Sequence, residues 1–142
     1  ALNDKSLVDI RANVFHGTAT QANYADLAEK YSSDKEYPTG TIVCVGGEQE
    51  VTATKADSIP IGVVSENPAY LMNAEGEGLV IGLKGKVPIR VNGPVNKGDV
   101  IYVTNSAGIG SRIAEDGAYM VGIALDSHGF DAEKLVNCVL KV

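Results

Sequence analysis

Tryptophan is absent from this 142-residue chain, aromatic residues make up 6% of it, and cysteine, histidine and methionine occur twice each. A core without large rings must rest on Val, Ile, Leu and Ala. The 16 glycines set many tight turns between short apolar runs, which is a β-rich signature. Cys44 and Cys138 lie in Ile42-Val43-Cys44-Val45 and Asn137-Cys138-Val139-Leu140. Two cysteines make no disulfide framework and, without His at ligand spacing, no zinc site, so both read as small core or half-buried hydrophobes. Basic charge is also scarce: 12 Lys and Arg against 18 Asp and Glu leave a net charge of −6, which opposes a phosphate-backbone partner, and no nucleic acid is expected. No apolar run approaches the roughly 18 residues of a membrane span, so no membrane partner is expected either. The first residues show no basic stretch followed by an apolar core, hence no signal peptide, and Ala1 in place of an initiator Met reads as the start of a fragment.

Recognisable catalytic and ligand motifs are missing too. There is no Gly-x-Ser-x-Gly elbow, and neither His16 nor His128 stands in a triad pattern. His16 reads as a surface position before Gly17. Asp126-Ser127-His128-Gly129-Phe130-Asp131 reads as a loop whose spacing matches no calcium loop. Gly108-Ile109-Gly110-Ser111 lacks the third glycine of a dinucleotide fingerprint and signals a hairpin. The expectation is no cofactor, no metal and no enzyme activity.

What the chain does contain is a repeat. Tyr37-Pro38-Thr39-Gly40-Thr41-Ile42-Val43-Cys44-Val45 aligns with Val95-Asn96-Lys97-Gly98-Asp99-Val100-Ile101-Tyr102-Val103, and Ile61-Gly62-Val63-Val64 aligns with Val121-Gly122-Ile123-Ala124. A third pair, Leu79-Val80 and Leu135-Val136, opens a final strand in each copy. The fold class expected is mainly β, a compact barrel- or sandwich-like domain of two pseudo-repeated units over about 37–91 and 95–142. Strands are expected near 41–46, 49–54, 60–65, 79–84, 86–91, 99–104, 109–114, 119–125 and 134–141. Val87-Pro88 marks an edge, and Asn67 to Asn73 reads as a joining helical turn.

Residues 1–35 differ in character from the 36–142 β domain. Tyr24, Leu27, Ala28 and Tyr31 recur at i, i+3, i+4, i+7, so a short helix is expected over Thr20 to Tyr31, capped by Thr18 or Thr20. The stretch before it holds too little apolar surface to fold alone and must pack on the rest of the chain or on copies of itself. Ile10, Val14, Phe15, Ala19, Ala22, Tyr24, Leu27, Ala28 and Tyr31 are the residues expected to form an interface between three copies.

Three runs carry a family resemblance: Asn23 to Asp34, Tyr37 to Val43, and Gly46-Gly47-Glu48-Gln49-Glu50-Val51. Together with Gly62 to Asn73 they resemble the terminal domain of tailed-phage fibre and appendage proteins. The resemblance implies a homotrimeric virion structural protein, the globular tip of a tail or head fibre, with other virion proteins and a host-surface receptor as partners. Some relatives sharing an Ala-Asp-x-Ala-Glu element are intramolecular chaperones that cut themselves free. In this chain Ser32, Ser33 and Asp34 would be the residues to suspect, since a Ser or Asp side chain can attack a neighbouring carbonyl. Without a His or Lys base at a motif position, the turn reading of Ser32-Ser33-Asp34 is favoured and no catalytic residue is assigned. A capsid decoration protein is the remaining alternative.

Overall fold

The computed structural model describes residues 9–142. Its described residues form eleven strands and no helix: β1 Leu27–Tyr31, β2 Ile42–Val45, β3 Val51–Ala53, β4 Pro60–Val64, β5 Tyr70–Met72, β6 Leu79–Lys84, β7 Lys86–Val91, β8 Val100–Val103, β9 Gly110–Ser111, β10 Met120–Ala124 and β11 Lys134–Leu140. The first six make one sheet in the order β3-β2-β4-β6-β1-β5, and the last five close a barrel, β10-β11-β7-β9-β8.

The mainly β class and the nine expected strands are found. The N-terminal helix is not: residues 20–26 carry no regular element and 27–31 form β1. Tertiary pairing overrides the helical spacing here. β1 runs antiparallel to β6 from Leu27↔Lys84 to Tyr31↔Leu79 and parallel to β5, and that ladder buries Ala28 completely. The joining helical turn is likewise replaced, by β5 at Tyr70–Met72.

The repeat appears in the hydrogen bonds themselves. Gly40 and Gly98 hold φ of 91° and 93°, and each donates its N–H to the end of the returning strand, Gly40 to Val64 O and Gly98 to Ala124 O, both at 2.8 Å. Val64 N then bonds Thr41 O, as Ala124 N bonds Asp99 O. A Cβ on Gly62 would lie 2.4 Å from Gly82 O, and one on Gly122 would lie 2.6 Å from Val139 O, so both glycines are there for close strand approach. The third sequence pair is one residue out of register. Ser65 N bonds Val80 O where Leu125 N bonds Asn137 O, so Val80 corresponds to Asn137 and not to Val136. Alternating strands offer an apolar letter at the neighbouring position, but on the opposite face.

Pro88 pairs with Asn137 within β7. Arg90 N and Asn92 N, of the same parity, point away from β11, to Gly40 O and Gly110 O, so the N–H that Pro88 lacks costs the β7–β11 ladder nothing. One core fills the barrel, with Ile89, Ile101, Val136 and Leu140 joined by Ile42 and Val63 from the other sheet. A smaller cluster of Val43, Val51, Val64 and Ile81 packs with Tyr31 and Tyr37. The second cluster thereby anchors Tyr31, Tyr37 and Val51, the residues that flank the Ser32-Ser33-Asp34 segment in sequence and in space.

Candidate functional site

β1 ends at Tyr31, and the chain then runs as Ser32-Ser33-Asp34 along the N-terminal end of β3. The Gly46-Gly47 turn after β2, with Gly46 N bonded to Glu50 O at 3.1 Å, brings Glu50 and Val51 against it. Both of their backbone N–H groups converge on the Ser32 carbonyl oxygen, Glu50 N at 3.1 Å and Val51 N at 3.0 Å. In return the Glu50 carboxylate Oε1 accepts from Ser32 N at 2.9 Å and from Ser32 Oγ at 3.0 Å. Ser33 bridges Val51 in parallel register, and Asp34 N reaches Val51 O at 3.4 Å.

The side chains continue the arrangement. Ser33 Oγ donates to Lys35 O at 2.8 Å and lies 3.5 Å from Asp34 Oδ1. Asp34 is clamped by two hydroxyls, with Tyr37 OH on Oδ1 and Thr52 Oγ1 on Oδ2, each at 2.9 Å. Partial desolvation pushes the Asp34 carboxyl up, but the bonds from Tyr37, Thr52 and its own amide, with the Lys35 ammonium, outweigh this and hold it below the ordinary Asp value. Hydrogen bonds from the Ser32 amide and hydroxyl hold Glu50 below its ordinary value as well. The site therefore joins a hydroxyl, a neighbouring ionised carboxylate and a peptide carbonyl already held by two N–H donors. Those are the parts of an acyl-transfer centre in which a backbone carbonyl is the electrophile.

Ser32, Ser33 and Asp34 were legible as suspects. Glu50, Tyr37 and Thr52 were not, since their roles arise from β3 folding back along the tripeptide. The Gly46-to-Val51 run was the available signal.

The expected interface residues divide. Ile10, Val14, Phe15, Ala19, Ala22 and Tyr24 are exposed in a stretch, 9–26, with no regular element. Leu27 is partly exposed, whereas Ala28 is buried within β1 and Tyr31 packs on the second cluster, so the chain's own core uses both. His16 is exposed, and His128 Nε2 faces Asp126 Oδ2 at 3.4 Å. Both cysteines are buried free thiols, and burial, with the nearby Asp126 charge, pushes Cys138 up to about 12.

A protein-family model described as IMC autoproteolytic cleavage domain, Peptidase_G2, matches residues 7–77, a span that contains every group of this site. Among solved structures, the chain is similar to the pre-mature gene product 12 of bacteriophage phi29, at 15% identity with a TM-score of 0.67, over 94% of this chain and 23% of that one. It is also similar to the C-terminal fragment of the same phi29 protein, at 14% identity with a TM-score of 0.62, over 82% of this chain and 100% of the fragment. At those identities the likeness establishes the fold, and this chain spans under a quarter of the length of the pre-mature protein. No curated protein matches the sequence. The family match overturns the expectation of a chain without enzymatic chemistry, because the matched family is described by the cutting of its own backbone.

Proposed function

Because the chain belongs to the family of IMC autoproteolytic cleavage domains, we propose that it is an intramolecular-chaperone domain of a phage appendage that cuts itself at Ser32-Ser33, associated with the virion and working as a homotrimer. The observation that carries the choice of bond is the Ser32 carbonyl, held by the N–H groups of Glu50 and Val51 beside a serine hydroxyl with a carboxylate neighbour.

The chemistry follows from that placement. Ser33 Oγ turns about χ1 from Lys35 O toward the Ser32 carbonyl carbon and adds to it, its proton passing to Asp34 Oδ1. The charge that develops on Ser32 O falls on the two N–H donors. Collapse expels the Ser33 nitrogen, which takes up the proton, and leaves an ester between Ser32 and the Ser33 side chain. Water then hydrolyses the ester, giving a new carboxylate at Ser32 and a new amino terminus at Ser33. Glu50 is a positioning residue, fixing the Ser32 amide and hydroxyl so that the carbonyl stays on its donors. Tyr37 and Thr52 orient Asp34 in the same sense.

The phi29 likeness supports a phage protein that is processed near this domain, since one of those structures is a pre-mature protein and the other a C-terminal fragment. The exposed apolar residues of 9–26 favour assembly through that stretch.

Intact-mass spectrometry of the incubated chain tests the proposal. Two products meeting at Ser32-Ser33 are expected, and Ser33→Ala should stay whole. A junction one residue later would transfer the attack to Asp34, and a chain that stays intact in every assembly state would refute self-cleavage.

A further inference from the structure

The bond assigned to cleavage lies just after β1, and β1 is not an edge strand. It is inserted between β6 and β5, and β5 pairs with no other strand among the described residues. A cut at Ser32-Ser33 therefore leaves an interior strand of the downstream body attached to the upstream fragment. Strand insertion of this kind holds a chain through a row of backbone hydrogen bonds, with pockets for alternate side chains giving selectivity.

The slot is shaped for its occupant. Ala28 is fully buried opposite Gly82 of β6, so a larger side chain at that position of the strand has no free space to enter. At one end Asp26 holds φ at 56° with Gly85 against its backbone, and at the other Tyr31 packs on the cluster of Val43, Val51, Val64 and Ile81. Withdrawing β1 would expose the edge of β6, empty the space of Ala28 and detach β5 from the sheet.

We infer that self-cleavage does not by itself part the two products: β1 stays seated as a non-covalent strand, and the slot between β6 and β5 is a binding site for an extended peptide with a small residue opposite Gly82. The identity of the cut bond rests on the function proposed above, whereas the slot rests on sheet topology alone. Backbone cleavage and release are then separate steps, and release requires that a strand be pulled from the middle of a sheet.

The test uses a Ser33→Ala chain, unable to cut itself, with a site-specific protease sequence inserted between the exposed Lys35 and Glu36. After nicking, the expected result is two pieces on a denaturing gel but one particle of undiminished mass in native size-exclusion, separable only in denaturant. When the nicked chain is unfolded in denaturant and refolded with an excess of labelled peptide, a peptide of residues 24–32 should be taken up roughly tenfold more than the same peptide with Ala28→Leu, which overpacks a fully buried position. Loss of the upstream piece on nicking in native buffer, or equal uptake of the two peptides, overturns the inference. Since an added protease makes the nick, a wild-type chain that never cleaves itself would refute the assigned bond and leave this result standing.

Discussion

Ser33 and Asp34 form a weak pairing by design, because a carboxylate held below its ordinary value is a poor proton acceptor. A reaction that occurs once per chain tolerates a slow base. Asp34 remains ionised until the pH drops below the ordinary Asp range near 3.8, so the cleavage rate should stay level from neutral to mildly acid pH and fall only beneath that value. Asp34→Asn should slow cleavage by about 10²-fold or more, measured as the initial rate of product appearance by intact mass. The same shift bears on stability: the unfolded carboxyl holds its proton more tightly than the folded one, so the contribution of Asp34 is present above the unfolded value and lost as pH falls through the lowered folded value.

Asp26 behaves in the opposite sense. Desolvation raises its pKa against a smaller lowering from Ser65, and its Oδ2 is buried with no partner among the described residues; Asp26 also lines a pocket of about 230 Å³ with Lys86 and Glu66. Its contribution is present below the unfolded value and lost as pH rises through the raised folded one. Asp26→Asn keeps a residue that tolerates the left-handed backbone and removes the ionised oxygen, so its unfolding midpoint at neutral pH should rise by a few degrees. Near pH 3 the advantage should vanish.

At the scale of elements, the repeated turn offers a matched pair of probes. Gly40 and Gly98 share a left-handed φ, yet a Cβ on Gly40 would meet Leu135 Cδ2 at 2.5 Å and Arg90 N at 3.0 Å, while one on Gly98 would meet nothing within 4 Å among the described residues. Gly98→Ala should cost only backbone strain, about 1–2 kcal/mol, and Gly40→Ala roughly 1–3 kcal/mol more from overpacking, read from denaturant midpoints. This repeat was legible in the sequence because each turn glycine feeds an apolar strand whose letters leave little freedom. β1 was not legible, because Tyr24, Leu27, Ala28 and Tyr31 satisfy helical spacing and nothing local reveals that β6 and β5 leave a slot for an extended chain. The site was half legible for the same reason. Ser32, Ser33 and Asp34 are contiguous, whereas Glu50 and Thr52 reach them only through the β2–β3 hairpin.

For the whole molecule, the unresolved balance lies between a core that is complete and an N-terminal stretch that is not. Ile10 is 83% exposed, Phe15 70% and Tyr24 64%, and residues 9–26 form no element on which these side chains could rest. Such surface is more costly to leave wet than to share between copies, at about 25 cal/mol per Å². β1 starts at Leu27, so the informative truncation ends at residue 26 and spares the strand that the sheet requires. Light scattering should give a trimer for residues 1–142 and a folded monomer for 27–142, with the β circular-dichroism signal retained. If the truncated chain is also trimeric, the interface lies on the β domain, and if the full chain is monomeric at micromolar concentration, the trimeric appendage loses its support. Autocleavage compared across the two lengths then separates assembly from chemistry. A site whose groups all lie between Ser32 and Thr52 should cut in the monomer as well, unless contact between copies is what turns Ser33 toward the Ser32 carbonyl.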